Sequence, residues 1–289
     1  MKKNNKMLRI AIQAKGRLSE DSLALLREAG IEVDDSKRKF LSQSSTFPVE
    51  LLFLRDDDIP QAVALGVADI GIVGYNEVLE REQDVDIVDR LGFGPCRISL
   101  AIPKTEEYTG LQWFNGKRIA TSYPNILGKF LKANSIDAAI SVITGSVEIA
   151  PTVGMSDAIF DIVSSGGTLV SNGLKEVEKI VFSEAVIIAN KNLDEDRLKT
   201  IEQIKFRINA VRDSRGKKYL LMNVPDEKIS KAIEILPSMR SPTILPLAQS
   251  GWSSLHTVVD ADVLWEKIEL LKEIGAEGIL VLSVEKMVL

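Results

Sequence analysis

The sequence predicts an α/β protein in three parts: two lobes of alternating strands and helices around a cleft, and a smaller C-terminal ferredoxin-like βαββαβ unit. Three observations carry this. Apolar strand patterns alternate with helical ones in two runs, one to about residue 102 and one over residues 103–189, and repeated βα units imply layered lobes with a crevice between them. Asp194 to Arg212 reads as one long helix, acidic at its start and basic at its end as the macrodipole favours. It is expected to pack back on the first lobe, which would then be discontinuous (7–102 and 190–213). Over residues 217–289 the order becomes strand, helix, strand, strand, helix, strand, the split βαβ pattern.

Taken in order, Leu8 to Gln13 is a short apolar strand ending at Lys15-Gly16-Arg17. The next helix is expected to start with Ser19 as N-cap, Leu18 and Leu23 at staple spacing, and to close at Gly30. Val49 to Leu54 is a strand; Asp56 to Asp58 then complement a helix N-terminus, Pro60 sits in the first turn and Gly66 ends it. Asp69 opens the strand DIGIVG, in which Gly71 and Gly74 mark close approach to the backbone, and Tyr75-Asn76 start a helix. Those glycines lie within the strand and at its end instead of in a turn entering a helix, which excludes a dinucleotide fingerprint. Ile98 to Pro103 reads as the crossover to the second lobe. There Arg118 to Thr121 is a strand, Ser122-Tyr123 a loop, Pro124 the first residue of a helix, and Ala139 to Ile143 and Glu184 to Ala189 further strands. In the last unit the strands are Lys218 to Val224, Thr243 to Ala248, Trp252 to Val259 and Gly278 to Val284. The helices are Asp226 to Leu236, ended by Pro237, and Ala261 to Ile274, closed by Gly275.

Composition narrows the chemistry. The 289 residues are 45% hydrophobic and 27% charged with a formal net charge of −5, an ordinary soluble balance that argues against nucleic acid as a partner. No apolar run approaches the ~20 residues that span a bilayer, and the basic start (Lys2, Lys3, Lys6) lacks the apolar region of a signal peptide, so a cytoplasmic protein is expected, with no membrane partner. One cysteine, Cys96, excludes an internal disulfide and a cysteine-based zinc site. The one histidine, His256, lies in the alternating segment SSLHTVVD as a strand residue, so histidine-clustered metal sites and a hydrolase triad are excluded. Any reaction must run on positioning, carboxylates and cations.

The stretch SDAIFDIVSSGGTLVSNGL, from Ser156 to Leu174, is the most informative. An apolar element carries Asp157 and Asp161, and the small residues Ser164, Ser165, Gly166, Gly167 and Thr168 follow. Glycines permit the φ values that turn several amides inward, and hydroxyls donate without bulk: the requirements of a phosphate cradle. Carboxylates upstream suit sugar hydroxyls. Asp157 and Asp161 share a face whether the element is a helix or a strand. The alternative is an exposed Ser/Gly turn. Lys15 and Arg17 stand at a strand's carboxyl end, where α/β ligands bind.

This arrangement resembles the 5-phosphoribosyl-1-pyrophosphate (PRPP) loop of phosphoribosyltransferases. The longer match EIAPTVGMSDAIFDIVSSGGTLVSNGL from Glu148, with QAKGRLSEDS, LRDDDIPQAVALGVADIGIVGYN and LGFGPCRISLAIP in order, resembles ATP phosphoribosyltransferase over essentially the whole chain. The family more often has Ala where Met155-Ser156 stand and Thr at Ser165, changes that keep a small or hydroxylated residue beside the loop.

The resemblance implies two periplasmic-binding-protein-like lobes and a reaction that joins N1 of ATP to the anomeric carbon of PRPP, expels pyrophosphate and begins histidine biosynthesis. N1 is already nucleophilic, so the needs are to hold the 5-phosphate, stabilise an oxocarbenium-like ribosyl and neutralise the leaving pyrophosphate. Ser164 to Thr168, with Glu148 and Lys15, are expected to bind PRPP, and Asp157, Asp161 and Arg17 to serve the chemistry. Asp69, Arg97, Thr121 and Tyr123 are expected at the ATP side, Tyr123 stacking on the purine. Mg²⁺ would be held chiefly by substrate phosphates, with no protein ligand assigned. The C-terminal unit implies feedback inhibition by histidine, bound near Ser241, Thr243 and Leu245, and a homo-oligomer, dimer and hexamer. The apolar run SPTILPLAQSGWSSLHTVV would place Thr243, Leu245, Leu247, Trp252 and Leu255 on two adjacent strands inviting a partner. The competing class is a two-lobed binding or effector protein without catalysis, and another PRPP-using transferase is a second alternative.

Overall fold

The computed structural model describes residues 7–33, 40–236 and 241–289. They form two compact units: the chain up to Arg27 with Ile31–Ile201, and Glu28–Gly30 with Glu202–Leu289. The expected helix end at Pro237 lies outside the described residues.

The first unit holds two sheets. Along the chain come β1 (Leu8–Gln13), α1 (Arg17–Glu28), β2 (Leu41–Gln43), β3 (Val49–Leu54), α2 (Ile59–Ala64), β4 (Ile70–Gly74), α3 (Tyr75–Arg81) and β5 (Asp86–Arg90). Then follow β6 (Cys96–Pro103), β7 (Arg118–Thr121), α4 (Pro124–Ala133), β8 (Ala139–Val142), β9 (Ala158–Val163), α5 (Gly167–Ser171), β10 (Leu174–Ser183) and β11 (Ala185–Ala189). One sheet has the order β2-β3-β1-β4-β11-β5, the other β10-β6-β9-β7-β8. In the first, β1, β3 and β4 are parallel and β11 is antiparallel to β4. In the second, β7, β8 and β9 are parallel and β6 is antiparallel to β9.

The lobe boundaries therefore differ from those expected. β6 belongs to the second sheet, so the first crossing precedes Cys96 instead of following residue 102. β11 belongs to the first sheet, so the return crossing falls at Glu184, not after residue 189. The reason is that AVIIA is buried on both faces and is placed between β4 and β5, a fully covered position that suits an unbroken apolar run.

Local sequence explains the packing that fixes the loops. Gly71 leaves room for α2: a Cβ there would meet Ile59 Cγ2 at 2.6 Å. Gly16, with φ +100°, turns the chain into α1 three residues earlier than expected, so Ser19 is buried inside the first turn and is not the N-cap. The strands' two faces carry separate cores in the second sheet. Ile98, Leu100, Phe114, Ile119, Leu127 and Phe160 pack on the α4 side, and Ala101, Ala120, Val147, Val163, Leu169 and Leu174 on the other.

A long helix, α6 (Glu195–Ser214), runs through the division of the units. Its residues to Ile201 cluster with the first and those from Glu202 with the second, so it is not wholly part of the first lobe as expected. The second unit continues with β12 (Lys217–Pro225), α7 (Ile229–Ile235), β13 (Thr243–Pro246), β14 (Trp252–Asp260), α8 (Leu264–Glu273) and β15 (Glu277–Ser283). Its antiparallel sheet has the order β13-β14-β12-β15, the split βαβ topology expected of a ferredoxin-like domain. Leu220, Met222, Val224, Leu255, Leu264 and Leu271 form its core.

Candidate active site

The site is built at the carboxyl ends of β7 and β9. β9 ends at buried Val163, and the chain turns through Ser164 and Ser165 to Gly166, whose φ of +84° only glycine adopts freely, before α5 begins. Buried Leu169 anchors α5 on the sheet while Ser164, Ser165, Gly167 and Thr168 stay exposed. The first amides of a helix have no intrahelical acceptor, so this turn presents N–H groups and three hydroxyls together. A weak contact from the Gly167 N–H to Ser165 Oγ (3.4 Å) is the internal bond of its tip.

Asp161 stands in β9 three residues before the loop. Its Oδ1 accepts the Ser122 hydroxyl (3.1 Å) from the end of β7. Burial pushes its carboxyl above the ordinary range, opposed by hydrogen bonds from Ile162 and Ser122 and reinforced by Glu148. Glu148, in the short 3-10 turn Val147–Ile149, is thereby brought to the same end of the sheet. Arg97 joins this edge because β6 runs antiparallel to β9, pairing Arg97 with Val163 and Ser99 with Asp161. Its guanidinium forks onto Glu176 (Nε–Oε1 2.5 Å, Nη2–Oε2 2.7 Å) and its Nη1 donates to the Ser164 carbonyl (2.9 Å). Arg97 is thus engaged by Glu176 and by the first residue of the Ser164–Thr168 loop.

Lys15 and Arg17 follow β1 at the carboxyl edge of the first sheet, both exposed, with Arg17 3.7 Å from Asp21.

Four of the expected site residues meet other surroundings than their neighbours in the sequence suggest. Asp157 lies before β9, roughly 13 Å from Asp161 along the strand at ~3.3 Å per residue, and its Oδ2 accepts the Arg118 N–H (2.8 Å). It closes the open end of the β7–β9 ladder. Asp69 likewise precedes β4, at the end away from Gly74. It accepts the Arg9 N–H (2.8 Å) and pairs with Arg197 (2.8 Å), beside a cavity of about 350 Å³ lined by Met7, Glu50 and Gly66 among others. Thr121 is fully buried, its hydroxyl accepting the Tyr123 N–H (2.8 Å). Tyr123 is 8% exposed and packed with Phe114, Ile126 and Leu127, so it has no free face for a purine.

What Tyr123 does instead is join the two sheets' helices. Asn76 of α3 donates to its phenol oxygen (3.2 Å) and exchanges hydrogen bonds with Ser183 (Asn76 N–H to Oγ 3.0 Å; Ser183 Oγ to Oδ1 2.8 Å). Burial raises the phenol's pKa, and the carboxylates Glu77 and Asp161 add to it. Glu80 of α3, 1% exposed, accepts the first amides of α4, from Asn125 (2.9 Å) and Ile126 (3.0 Å). Sequence reading missed Asn76, Glu80, Ser99, Ser122 and Glu176. YNEVLER does contain a visible signal, a glutamate that a helical face would bury.

In the second unit, the Ser241 hydroxyl donates to the Pro242 carbonyl (3.3 Å), and Thr243 and Leu245 are exposed on the edge strand β13. The apolar residues do not form one face: Leu245 pairs with Ser254, whereas Leu255 pairs with Ile244 and is buried under the helices. His256 is held by hydroxyls, Tyr219 at Nδ1 (2.8 Å) and Ser254 at Nε2 (3.1 Å).

Residues 55–210 match the family model for ATP phosphoribosyltransferase, and residues 214–286 that for the HisG C-terminal domain. An ATP phosphoribosyltransferase of Bacteroides thetaiotaomicron is 61% identical over 282 residues, covering 98% of this chain and 100% of its own length. One from Phocaeicola vulgatus is 60% identical over 283 residues with the same coverage. Among solved structures, a chain of the ATP phosphoribosyl transferase (HisG:HisZ) complex from Thermotoga maritima superposes with a TM-score of 0.60 at 29% identity, covering 70% of this chain and 99% of that one. A histidine kinase sensor domain with similarity to periplasmic binding proteins matches at a TM-score of 0.50 and 10% identity, covering 72% of this chain and 91% of that one, a likeness of fold alone. With over half its length in one family model and relatives about 60% identical from end to end, this chain belongs to the ATP phosphoribosyltransferase family, in the long form that carries the added C-terminal domain.

Proposed function

We propose that this chain transfers the 5-phosphoribosyl group of PRPP to N1 of ATP, giving 1-(5-phosphoribosyl)-ATP and pyrophosphate, the first step of histidine biosynthesis. The observation that carries the site assignment is the placement of a raised-pKa carboxylate, Asp161, three residues before the Gly166-centred loop and at the same sheet end. In the reaction the bond from the anomeric carbon to the pyrophosphate oxygen breaks and the bond to N1 forms, so no side-chain nucleophile is needed. The loop from Ser164 to Thr168 holds the 5-phosphate through amides and hydroxyls. Asp161 faces the ribosyl group: a carboxylate ~4 Å from the developing cation contributes up to ~4 kcal/mol at an effective dielectric near 20. Glu148 binds a ribose hydroxyl. Lys15 and Arg17 are exposed cations suited to the departing pyrophosphate. Asp157, Asp69, Thr121 and Tyr123 are each engaged in contacts within the chain, and the roles are assigned here without them.

Mg²⁺ arrives on the substrate phosphates, whose oxygens suit this hard cation. Bound there, Mg²⁺ supplies charge neutralisation for the leaving group. The C-terminal domain binds histidine as inhibitor near Ser241, Thr243 and Leu245, and acts through the balance of domain arrangements with a coupling of ~1–3 kcal/mol. The chain works as a homo-oligomer, dimer and hexamer, in the cytoplasm. No described helix is long and apolar enough to cross a membrane.

The test is pyrophosphate release. ATP and PRPP together with Mg²⁺ are expected to give it and neither alone, chelation to abolish it, and histidine to lower it. Calorimetric binding of both nucleotides with no pyrophosphate formed would turn the reading to a two-lobed binding protein.

A further inference from the structure

Glu176, on β10, has no part in the chemistry above, yet it is bound to the phosphate loop through one intermediary. Its two carboxylate oxygens receive Arg97 as a fork, and Oε1 also accepts the Ser99 hydroxyl (2.6 Å). The side chains of Arg97 and Glu176 are only 21% and 18% exposed, and Ser99 is 1% exposed. The pair holds Glu176 below the ordinary carboxylate range, the Arg97 hydrogen bonds being the largest cause. A forked, half-buried guanidinium has one orientation. Its remaining donor, Nη1, meets the carbonyl of Ser164, the first residue of the loop (2.9 Å).

That carbonyl matters because the peptide bond is planar. Fixing the Ser164 oxygen fixes the plane of the Ser164–Ser165 peptide, and the Ser165 N–H then points to the opposite side. The orientation of the first amide of the phosphate cradle is thus set from the sheet. Glu176 also occupies Arg97's charge, so that Arg97 serves a neutral carbonyl and does not draw the phosphate out of the loop.

We propose that Glu176 and Ser99, acting through Arg97, are positioning residues that set the first amide of the PRPP phosphate loop. The proposal rests on the reading that Ser164 to Thr168 take the 5-phosphate. The bland alternative is an ion pair that merely ties β10 to β6.

The test is a set of variants followed by PRPP kinetics, ATP kinetics and melting temperature. Glu176→Gln, which keeps the shape and loses the charge, and Arg97→Lys, which loses the fork, are expected to raise KM for PRPP about tenfold each, the scale of one charge-assisted hydrogen bond. The KM for ATP and kcat should stay within about threefold. Ser99→Ala should raise KM for PRPP less, about twofold to threefold. Because the residues act as one unit, the double variant Arg97→Lys with Glu176→Gln should be no worse than either single change. Gly166→Val is the control for the underlying reading, since φ of +84° is strained for a β-branched residue. If Gly166→Val raises the PRPP KM while Glu176→Gln lowers only the melting temperature, the positioning role is wrong and the loop assignment stands. If Gly166→Val folds and leaves PRPP kinetics normal, the loop assignment itself is wrong. Should any variant lose turnover altogether, calorimetric PRPP binding decides in its place: unchanged affinity in Glu176→Gln overturns the proposal.

Discussion

Asp157 and Asp161 bracket one strand, β9, and meet different surroundings at its two ends. Asp157 is exposed and accepts a backbone N–H from the start of the neighbouring parallel strand, a group that would otherwise be unpaired there. Asp161 is drawn under the loops that follow β7 and β9, beside Ser122 and Glu148, where burial disfavours its charge. The first sheet repeats the contrast: Asp69 at the start of β4 pairs with Arg9 and Arg197, and the chain turns at the other end through Gly74 and Asn76. In parallel sheets the strand's direction decides which carboxylate completes the ladder and which is left facing the ligand side.

The largest effect that can break this comparison is in turnover. Asp161→Asn is expected to lower kcat by about a hundredfold to a thousandfold, the rate equivalent of losing most of a ~4 kcal/mol charge interaction with the ribosyl cation. Steady-state kinetics with saturating ATP and PRPP measure it. A loss under threefold would mean that Asp161 is as structural as Asp157.

The smaller counterpart is Asp157→Asn. Here kcat should stay within about twofold, while stability falls by about 1 kcal/mol as a charge-assisted hydrogen bond to the Arg118 N–H becomes an ordinary one. Denaturant unfolding of the two variants side by side tests the asymmetry. A kcat loss in Asp157→Asn matching that of Asp161→Asn would erase the distinction between the two ends.

How much of this was legible in the sequence follows the same line. Periodicity and small residues disclosed the strand, the Gly166 turn and the presence of Asp161 near it, because those depend on neighbours in the chain. Spacing placed Asp157 and Asp161 on one face, but it carries no information on which end of the strand each occupies: Asp157 stands before β9 and Asp161 within it. Tyr123 read as a purine platform because it precedes Pro124 in a loop; its burial depends on Phe114 and on Asn76, 47 residues away. Arg97 looked like a free cation at a strand end, since its partner Glu176 is 79 residues distant on a strand paired antiparallel to β6. The lobe boundaries moved for a similar reason: AVIIA is apolar enough for either sheet, and only the pairing of β11 with β4 and β5 assigns it.

The smallest expected effect concerns how stability depends on pH through Asp161. A carboxyl whose folded-state pKa is raised gives stability that is fully present below its unfolded value and is lost as pH rises through the folded one. Asp161 is such a group, because the folded state penalises its charge by burial. Asn at this position keeps the Ser122 hydroxyl as donor and never ionises. The melting temperature of Asp161→Asn should therefore equal that of the native chain at a pH below the ordinary aspartate value. It should exceed it increasingly as pH rises through Asp161's raised pKa, and then hold a constant lead toward neutrality. Thermal melts across this pH range, recorded without substrates, decide the matter: a native chain more stable than Asp161→Asn at neutral pH would mean that the charge on Asp161 stabilises the fold, and that its placement serves structure instead of the ribosyl group.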